Sequence, residues 1–330
     1  MPQDSPPTTG PQGAKSTAEP PPLNGPPMTA AQFDETFDRL RRWDRDDAAD
    51  ERGTVASLTP QAVRAALATP RVGRTVSLAL PINRSAGPDN ARPALHHMVD
   101  LGDVEAPEPS AHKDFIGLDY HGKAVTHLDA VCHIGYRGEL FGGRRSSDVF
   151  SSLGSDWAAV TTLSAGLVVR GVLVDMPHAL GIDWLEPGTA VRARDLEDAA
   201  ATLRVEIGAG DAVLLRSGHG ARRAARGAWN SDEASAGLHV DAMPFLAERG
   251  VVLLGGDGDS DVRPSPVAGV HSPIHALALT ALGMPLLDNL DLEPLSRACA
   301  EEGRYEFLLV VAPLVVPRGT GSPVNPIAVL

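Results

Sequence analysis

Gly166-Leu167-Val168-Val169-Arg170-Gly171-Val172-Leu173-Val174-Asp175-Met176 is a short apolar run dominated by valine and leucine. A strand with one wet face alternates polar and apolar residues, whereas a near-continuous run signals a strand covered on both faces. Similar runs stand at 76–80, 212–216, 251–255 and 307–316. Between and after them, 193–203, 241–248, 275–282 and 293–302 carry apolar residues at helical spacing. Strand-like and helix-like segments in alternation predict a single α/β domain with a mixed β-sheet flanked by helices. No internal repeat is visible.

Residues 1–30 hold nine prolines among Ser, Thr, Gly and Gln and offer almost nothing to bury, so they read as a disordered tail. The folded domain is expected over 31–330, opening with a helix that carries Phe33, Phe37 and Leu40 on one side. Thr59 followed by Pro60 reads as an N-cap and a first-turn proline, starting a short helix.

Composition narrows the function. The chain has 330 residues, 43% hydrophobic, 22% charged and only 4% aromatic, so its core must be mostly Ala, Val and Leu. A net charge of −13 argues against nucleic acid or an anionic membrane as partner, and the arginines at 222, 223 and 226 read as solvated surface. Cys132 and Cys299 make neither a disulfide framework nor a CxxC pair, and are expected to be reduced thiols. With no apolar run of spanning length and no signal-peptide order at the N-terminus, a cytoplasmic protein is expected.

The chemistry concentrates in Thr126-His127-Leu128-Asp129-Ala130-Val131-Cys132-His133. Residues 127, 129 and 133 share parity, so on an extended strand they would share a face. An imidazole and a carboxylate two residues apart suit a divalent metal, and His133 would stand back as general acid or base. Cys132 has the opposite parity and is not expected to act as a nucleophile. His271-Ser272-Pro273-Ile274-His275 forms a second cluster at a helix start, where ordinary helix-end polarity is the competing explanation. Gly255-Gly256-Asp257-Gly258-Asp259-Ser260-Asp261 has the composition of a calcium loop but lacks the later glutamate. It reads as a tight loop after a strand, of the kind that borders ligand sites. His96, His97, His178, His219 and His239 read as surface or supporting residues. No GxSxG, GxGxxG or GxxxxGKS motif occurs.

Residues 126–130 and His133 resemble the core of HxGTHxDxPxH, the motif of the cyclase family of metal-dependent hydrolases, which includes bacterial kynurenine formamidase. The resemblance runs over about residues 35–330, with echoes at 171–175, 215–218, 255–257 and 305–326. It implies a swivelling β/β/α-like fold, a Zn²⁺ or Mn²⁺ centre of one or two ions, and a small-molecule substrate. It implies that His127 and Asp129 bind metal, with Asp129 able to bridge two ions, and that His133 donates and accepts a proton. His275 fits the family's metal-binding histidine at a helix start. The glutamate that completes the family's site stands about twelve residues on, where this chain has Leu287; Asp288, thirteen on and after Gly283 and Pro285 have ended the helix, is the candidate acid. The motif's first histidine falls on Lys123, its glycine on Val125 and its proline on Val131. Lysine is a ligand only when neutral. His121, followed by Gly122, is therefore preferred to Lys123, although a regular strand would hold it roughly 20 Å from His127 and a bend is needed.

The activity so implied is hydrolysis of an amide, formamide (N-formylkynurenine-like) or lactone by a metal-activated water, as in an arylformamidase. The alternatives are ring closure in secondary-metabolite biosynthesis and a metal-free binding or scaffold protein with a decayed site. A homodimer or homotetramer is the assembly that the resemblance implies.

Overall fold

In the computed structural model, which describes residues 27–43, 50–102 and 108–330, the apolar runs lie in one nine-stranded sheet. Its strands are β1 (Thr75–Ser77), β2 (His127–Asp129), β3 (Leu167–Asp175), β4 (Ala212–Arg216), β5 (Leu253–Gly256), β6 (Leu286–Asp288), β7 (Glu306–Val311), β8 (Gly321–Pro323) and β9 (Ile327–Val329). The order across the sheet is β1-β9-β7-β3-β4-β5-β6-β2-β8. The central four, β3 to β6, are parallel, and every other pairing is antiparallel. This is the expected mixed α/β sheet, curled and flanked by helices. All five residues of β4 are buried, as a strand covered on both faces requires.

The helices follow the apolar spacing closely. Ala193–Leu203 and Glu293–Glu302 form as read, and Ala242–Glu248 begins one residue after Asp241. Pro60–Leu67 packs on β3, and the Thr59 hydroxyl accepts the Ala62 N–H at 3.1 Å. The described residues take part in the fold before Ala31. Met28 bridges to Val267, and Thr29 and Gln32 cap the helix Ala30–Leu40 reciprocally. The remainder of the proposed tail, residues 1–26, lies outside the described residues. The run 307–316 leaves the sheet at Val311, because Pro313 has no N–H for a ladder and Leu314 and Val315 are exposed. Among the described residues no helix is long and apolar enough to cross a membrane.

Three features position the site. β6 lies antiparallel to β2, with Asp288 directly opposite His127. On the other side of β2, Gly321 of β8 stands opposite Asp129, and a Cβ there would come within 2.8 Å of the His121 ring. Finally, Pro273–His275 starts a helical segment that continues as a π-helix over Ala276–Leu282, wholly buried and stopped by Gly283 at φ 68°. Such π-turns are common beside functional sites, and this one leaves His275 at its mouth.

Candidate metal centre

Strand β2 is only three residues long, so shared parity accounts for His127 and Asp129 alone. The extended strand expected to carry His133 as well stops at Asp129. His133 returns to the site through a turn, its N–H donating to the Ala130 carbonyl at 2.9 Å. His121 arrives by the bend that the spacing required. The Asn289 amide donates to the carbonyls of Gly122 at 2.7 Å and Val125 at 3.1 Å, folding 122–125 back on itself. The His121 ring then lies 5.3 Å from that of His127 and stacks on His133 at 3.9 Å with planes 3° apart.

All these groups surround Asp129. Its Oδ1 lies 2.9 Å from His121 Nδ1, 3.4 Å from His127 Nε2 and 3.9 Å from His133 Nε2. Its Oδ2 lies 3.6 Å from His275 Nε2, which is 3.2 Å from Asp288 Oδ2. Yet Asp129 is 1% exposed, and neither of its oxygens has a hydrogen-bond partner. His121 Nδ1 is also unpartnered, since it is close to Oδ1 but out of line for a bond. A buried carboxylate without donors is costly. Converging nitrogen and oxygen atoms of this kind suit a borderline divalent cation such as Zn²⁺ or Mn²⁺. His121–Asp129–His133 and His127–Asp129–Asp288 each bring three such atoms within 4.8 Å of one another.

The outer atoms of the rings are fixed. His127 Nδ1–H donates to the Val125 carbonyl at 2.9 Å, and His275 Nδ1–H donates to Asp261 Oδ2 at 2.6 Å. Both rings therefore turn Nε2 inward, the arrangement by which metal-binding histidines are usually oriented. The titration behaviour shows how strongly the cluster calls for positive charge. Burial pushes the His127 imidazole down, but Asp129 and Asp288 outweigh it and raise its pKa to about 8. His275 is held well above its usual value despite burial, by Asp259, Asp261 and Asp288. Burial opposes ionisation of Asp129, but His133, His127 and His121 keep it well below the usual carboxylate range. His133 differs: burial, with the neighbouring imidazoles adding to it, pushes its pKa down to about 4. It is a neutral imidazole at neutral pH, partly open to solvent, and able to accept a proton.

Lys123 points elsewhere. Its ammonium hydrogen-bonds Asp259 and lies 3.3 Å from Asp232, and these carboxylates hold it above the usual lysine value against the effect of burial. It is a cation in an ion pair, while His121 reaches Asp129. Asp259 and Asp261 belong to the loop read from the sequence as one that borders a ligand site, but their individual roles appear only in the structure. Ser260, between them, donates to Asp288 Oδ1 at 2.8 Å. His271 bonds Arg263 and Ser272 and stays outside the cluster. Cys132 is fully buried, and burial pushes its thiol up to about 11, so it is no nucleophile.

Two cavities lie on the Lys123 side of the centre, and of the clustered residues only His121 lines either of them. One of about 200 Å³ is lined by His121, Lys123, Asp119 and Asp232. The other, about 560 Å³, shares Asp89, Lys123 and Ala124 with it and extends to His219, Leu290 and Leu292. His219 packs against Trp229 with ring centroids 4.4 Å apart and planes tilted by 33°.

Comparison with known proteins gives a consistent picture. The model of the family described as Cyclase matches residues 76–260, more than half of the chain. Isatin hydrolase of Roseibium aggregatum is 31% identical over 214 residues, which cover 62% of this chain and 70% of that protein. A solved structure described as a novel cyclase superposes with a TM-score of 0.77 at 29% identity, covering 89% of this chain and 99% of the other. Isatin hydrolase A from Ralstonia solanacearum superposes with a TM-score of 0.56 at 22% identity, over 82% and 98% of the two chains, a likeness of fold.

Proposed function

The chain belongs to the Cyclase family, and from that premise we propose that it is a metal-dependent hydrolase that opens an amide, formamide or lactone. The observation that carries this reading is Asp129, buried with both oxygens unpartnered among four inward-facing imidazole nitrogens. His127, Asp129, His275 and Asp288 would hold the metal, with His121 beside Asp129 Oδ1. A bound Zn²⁺ or Mn²⁺ supplies Lewis acidity, which makes water a nucleophile near neutral pH and polarises the carbonyl to be attacked.

His133 would accept the proton of the attacking water and deliver it to the departing nitrogen or oxygen. Its pKa of about 4 keeps Nε2 free for the first transfer, and the parallel stack on His121 fixes the ring plane. The 560 Å³ cavity beside Lys123 and Ala124 is large enough for a substrate of one or two rings. The isatin of the relative's name puts cyclic amides first among compounds to try.

The test is metal analysis of protein purified without chelators, together with turnover of a panel of cyclic amides and imides, formamides and lactones. Stoichiometric transition metal, and hydrolysis abolished by chelation and restored by Zn²⁺ or Mn²⁺, are expected. Less than about 0.2 equivalents of metal after incubation with either ion would sink the reading.

A further inference from the structure

We propose that Lys123 stands in for a second cation, so that the centre takes one divalent ion and no more. The inference rests on the metal-site reading above and concerns the number of ions. Four buried carboxylates meet here: Asp129, Asp259, Asp261 and Asp288. Two cations already answer them. The Lys123 ammonium bonds Asp259 Oδ2, and Arg263 Nη2 donates to the same oxygen at 2.8 Å. With the imidazoles neutral, as metal ligands must be, the buried ledger is four negative charges against two positive ones. One divalent ion brings it to neutrality. A second would leave two uncompensated positive charges in a buried site, the situation that protein interiors avoid.

Hydrogen bonding removes one place where a second ion could sit. Asp259, Asp261 and His275 have donor atoms within 4.8 Å of one another and look like a further metal triad. Every part of it is already engaged. Asp259 is held by Lys123 and Arg263, and Asp261 accepts the N–H groups of Ile274 at 2.7 Å and His275 at 3.3 Å besides the His275 ring. The unpartnered buried acceptors of this region are those of Asp129 and His121; Arg263 Nε is unpartnered too, but it is a donor and offers nothing to a cation. Asp232, the other carboxylate facing Lys123, has a side chain 60% exposed and is screened by solvent. Asp257 is turned away, its two oxygens accepting from Ser217, Gly218 and His219. Lys123 and Arg263 therefore fasten the acidic wall behind His275, and the unpartnered oxygens of Asp129 are the atoms left to hold an ion.

Stripped protein titrated with Zn²⁺, and separately with Mn²⁺, tests this through bound equivalents measured by elemental analysis after gel filtration, with Mn²⁺ electron paramagnetic resonance as a second readout. Wild type should saturate at one equivalent and give an isolated Mn²⁺ signal. Lys123→His, which removes a charge and adds a ligand, should bind a second, weaker equivalent and show Mn–Mn coupling. Lys123→Arg, which keeps the charge, should stay at one. Two equivalents in the wild type would overturn the proposal while leaving the metal-site reading intact; none would overturn both. A folded Lys123→His variant that still holds one equivalent would remove Lys123 as the cause. Should that variant not fold, the wild-type and Lys123→Arg stoichiometries decide.

Discussion

Asp129 and Asp175 are both buried aspartates at the C-terminal ends of sheet strands, and the fold treats them in opposite ways. Asp175, 0% exposed, closes β3 opposite Arg216 of β4. Its Oδ1 accepts from Arg216 Nη1 at 2.7 Å and from the His178 N–H at 3.1 Å, and its Oδ2 from the Ser296 hydroxyl. Arg216 is completed by Glu293 through two further bonds. Every charge in that network is answered, so it fastens two parallel strands to the helix Glu293–Glu302. Asp129 is as deeply buried, with imidazoles near it but no hydrogen bond to either oxygen. A carboxylate with its full set of donors is part of the framework, whereas one among inward-facing nitrogens and without donors is reserved for an ion that brings charge with it.

The sharpest way to break this contrast is to neutralise each aspartate in turn. Asp129→Asn should lower turnover roughly a thousandfold or more, about 4 kcal/mol of transition-state stabilisation, and leave metal content near zero. Its stripped form should lose only the Asp129–His127 attraction, on the order of 1–2 kcal/mol below about pH 8, because no hydrogen bond to Asp129 is broken. Asp175→Ala should do the reverse, costing about 3–5 kcal/mol of stability by stranding Arg216 while leaving metal stoichiometry unchanged where the protein is folded. Denaturant unfolding of stripped protein and elemental analysis separate the two. If Asp129→Asn were destabilised as much as Asp175→Ala, the aspartate would be framework and the metal reading would lose its main support.

The contrast also marks what can be read from a sequence. Segments whose structure is set by their own periodicity, such as 193–203 and 212–216, stand where the apolar spacing put them. His127, Asp129 and His275 were visible because motif and spacing are local properties. The Asp175–Arg216 clamp was not, since it depends on which strand lies beside which. The bend that carries His121 depends on Asn289, 167 residues along the chain, and no local signal announces that partner. His133 was assigned to the right face by a parity argument that fails at Asp129, where the strand ends and a turn takes over. Asp259 and Asp261 sat in a loop whose composition suggested calcium, and only packing shows that their work is to hold Lys123, Arg263 and His275.

Smaller effects sharpen the comparison from the supporting side. Asp261 never faces Asp129, yet its bond to Nδ1 orients His275. Asp261→Asn should weaken Zn²⁺ affinity by about 10–100-fold, roughly 1.4–2.7 kcal/mol, without changing the stoichiometry. Competition against a chromophoric chelator measures it. An unchanged affinity would mean that the π-helix alone orients the ring.

The smallest effect is a slope with pH. In stripped protein His127 has a pKa of about 8, above the ordinary imidazole value of 6.5. A raised histidine adds stability that is fully present below the unfolded pKa and is lost as pH rises through the folded one. The stripped protein should therefore lose stability between about pH 6.5 and 8, on the order of 1–2 kcal/mol. His133, held down to about 4, has the opposite sign and acts only as pH falls below about 6.5. Metal binding must displace the proton from His127, so Zn²⁺ affinity should rise across the same window. Because Asp129 is the largest upward influence on His127, Asp129→Asn should reduce the stability slope of stripped protein to the part that His275 contributes through Asp259, Asp261 and Asp288. Thermal melts of both stripped proteins at pH 6.5, 7.2 and 8 decide it. A slope undiminished by the substitution would assign the whole of it to His275 and its carboxylates, and Asp129 would no longer be the group around which the site is organised.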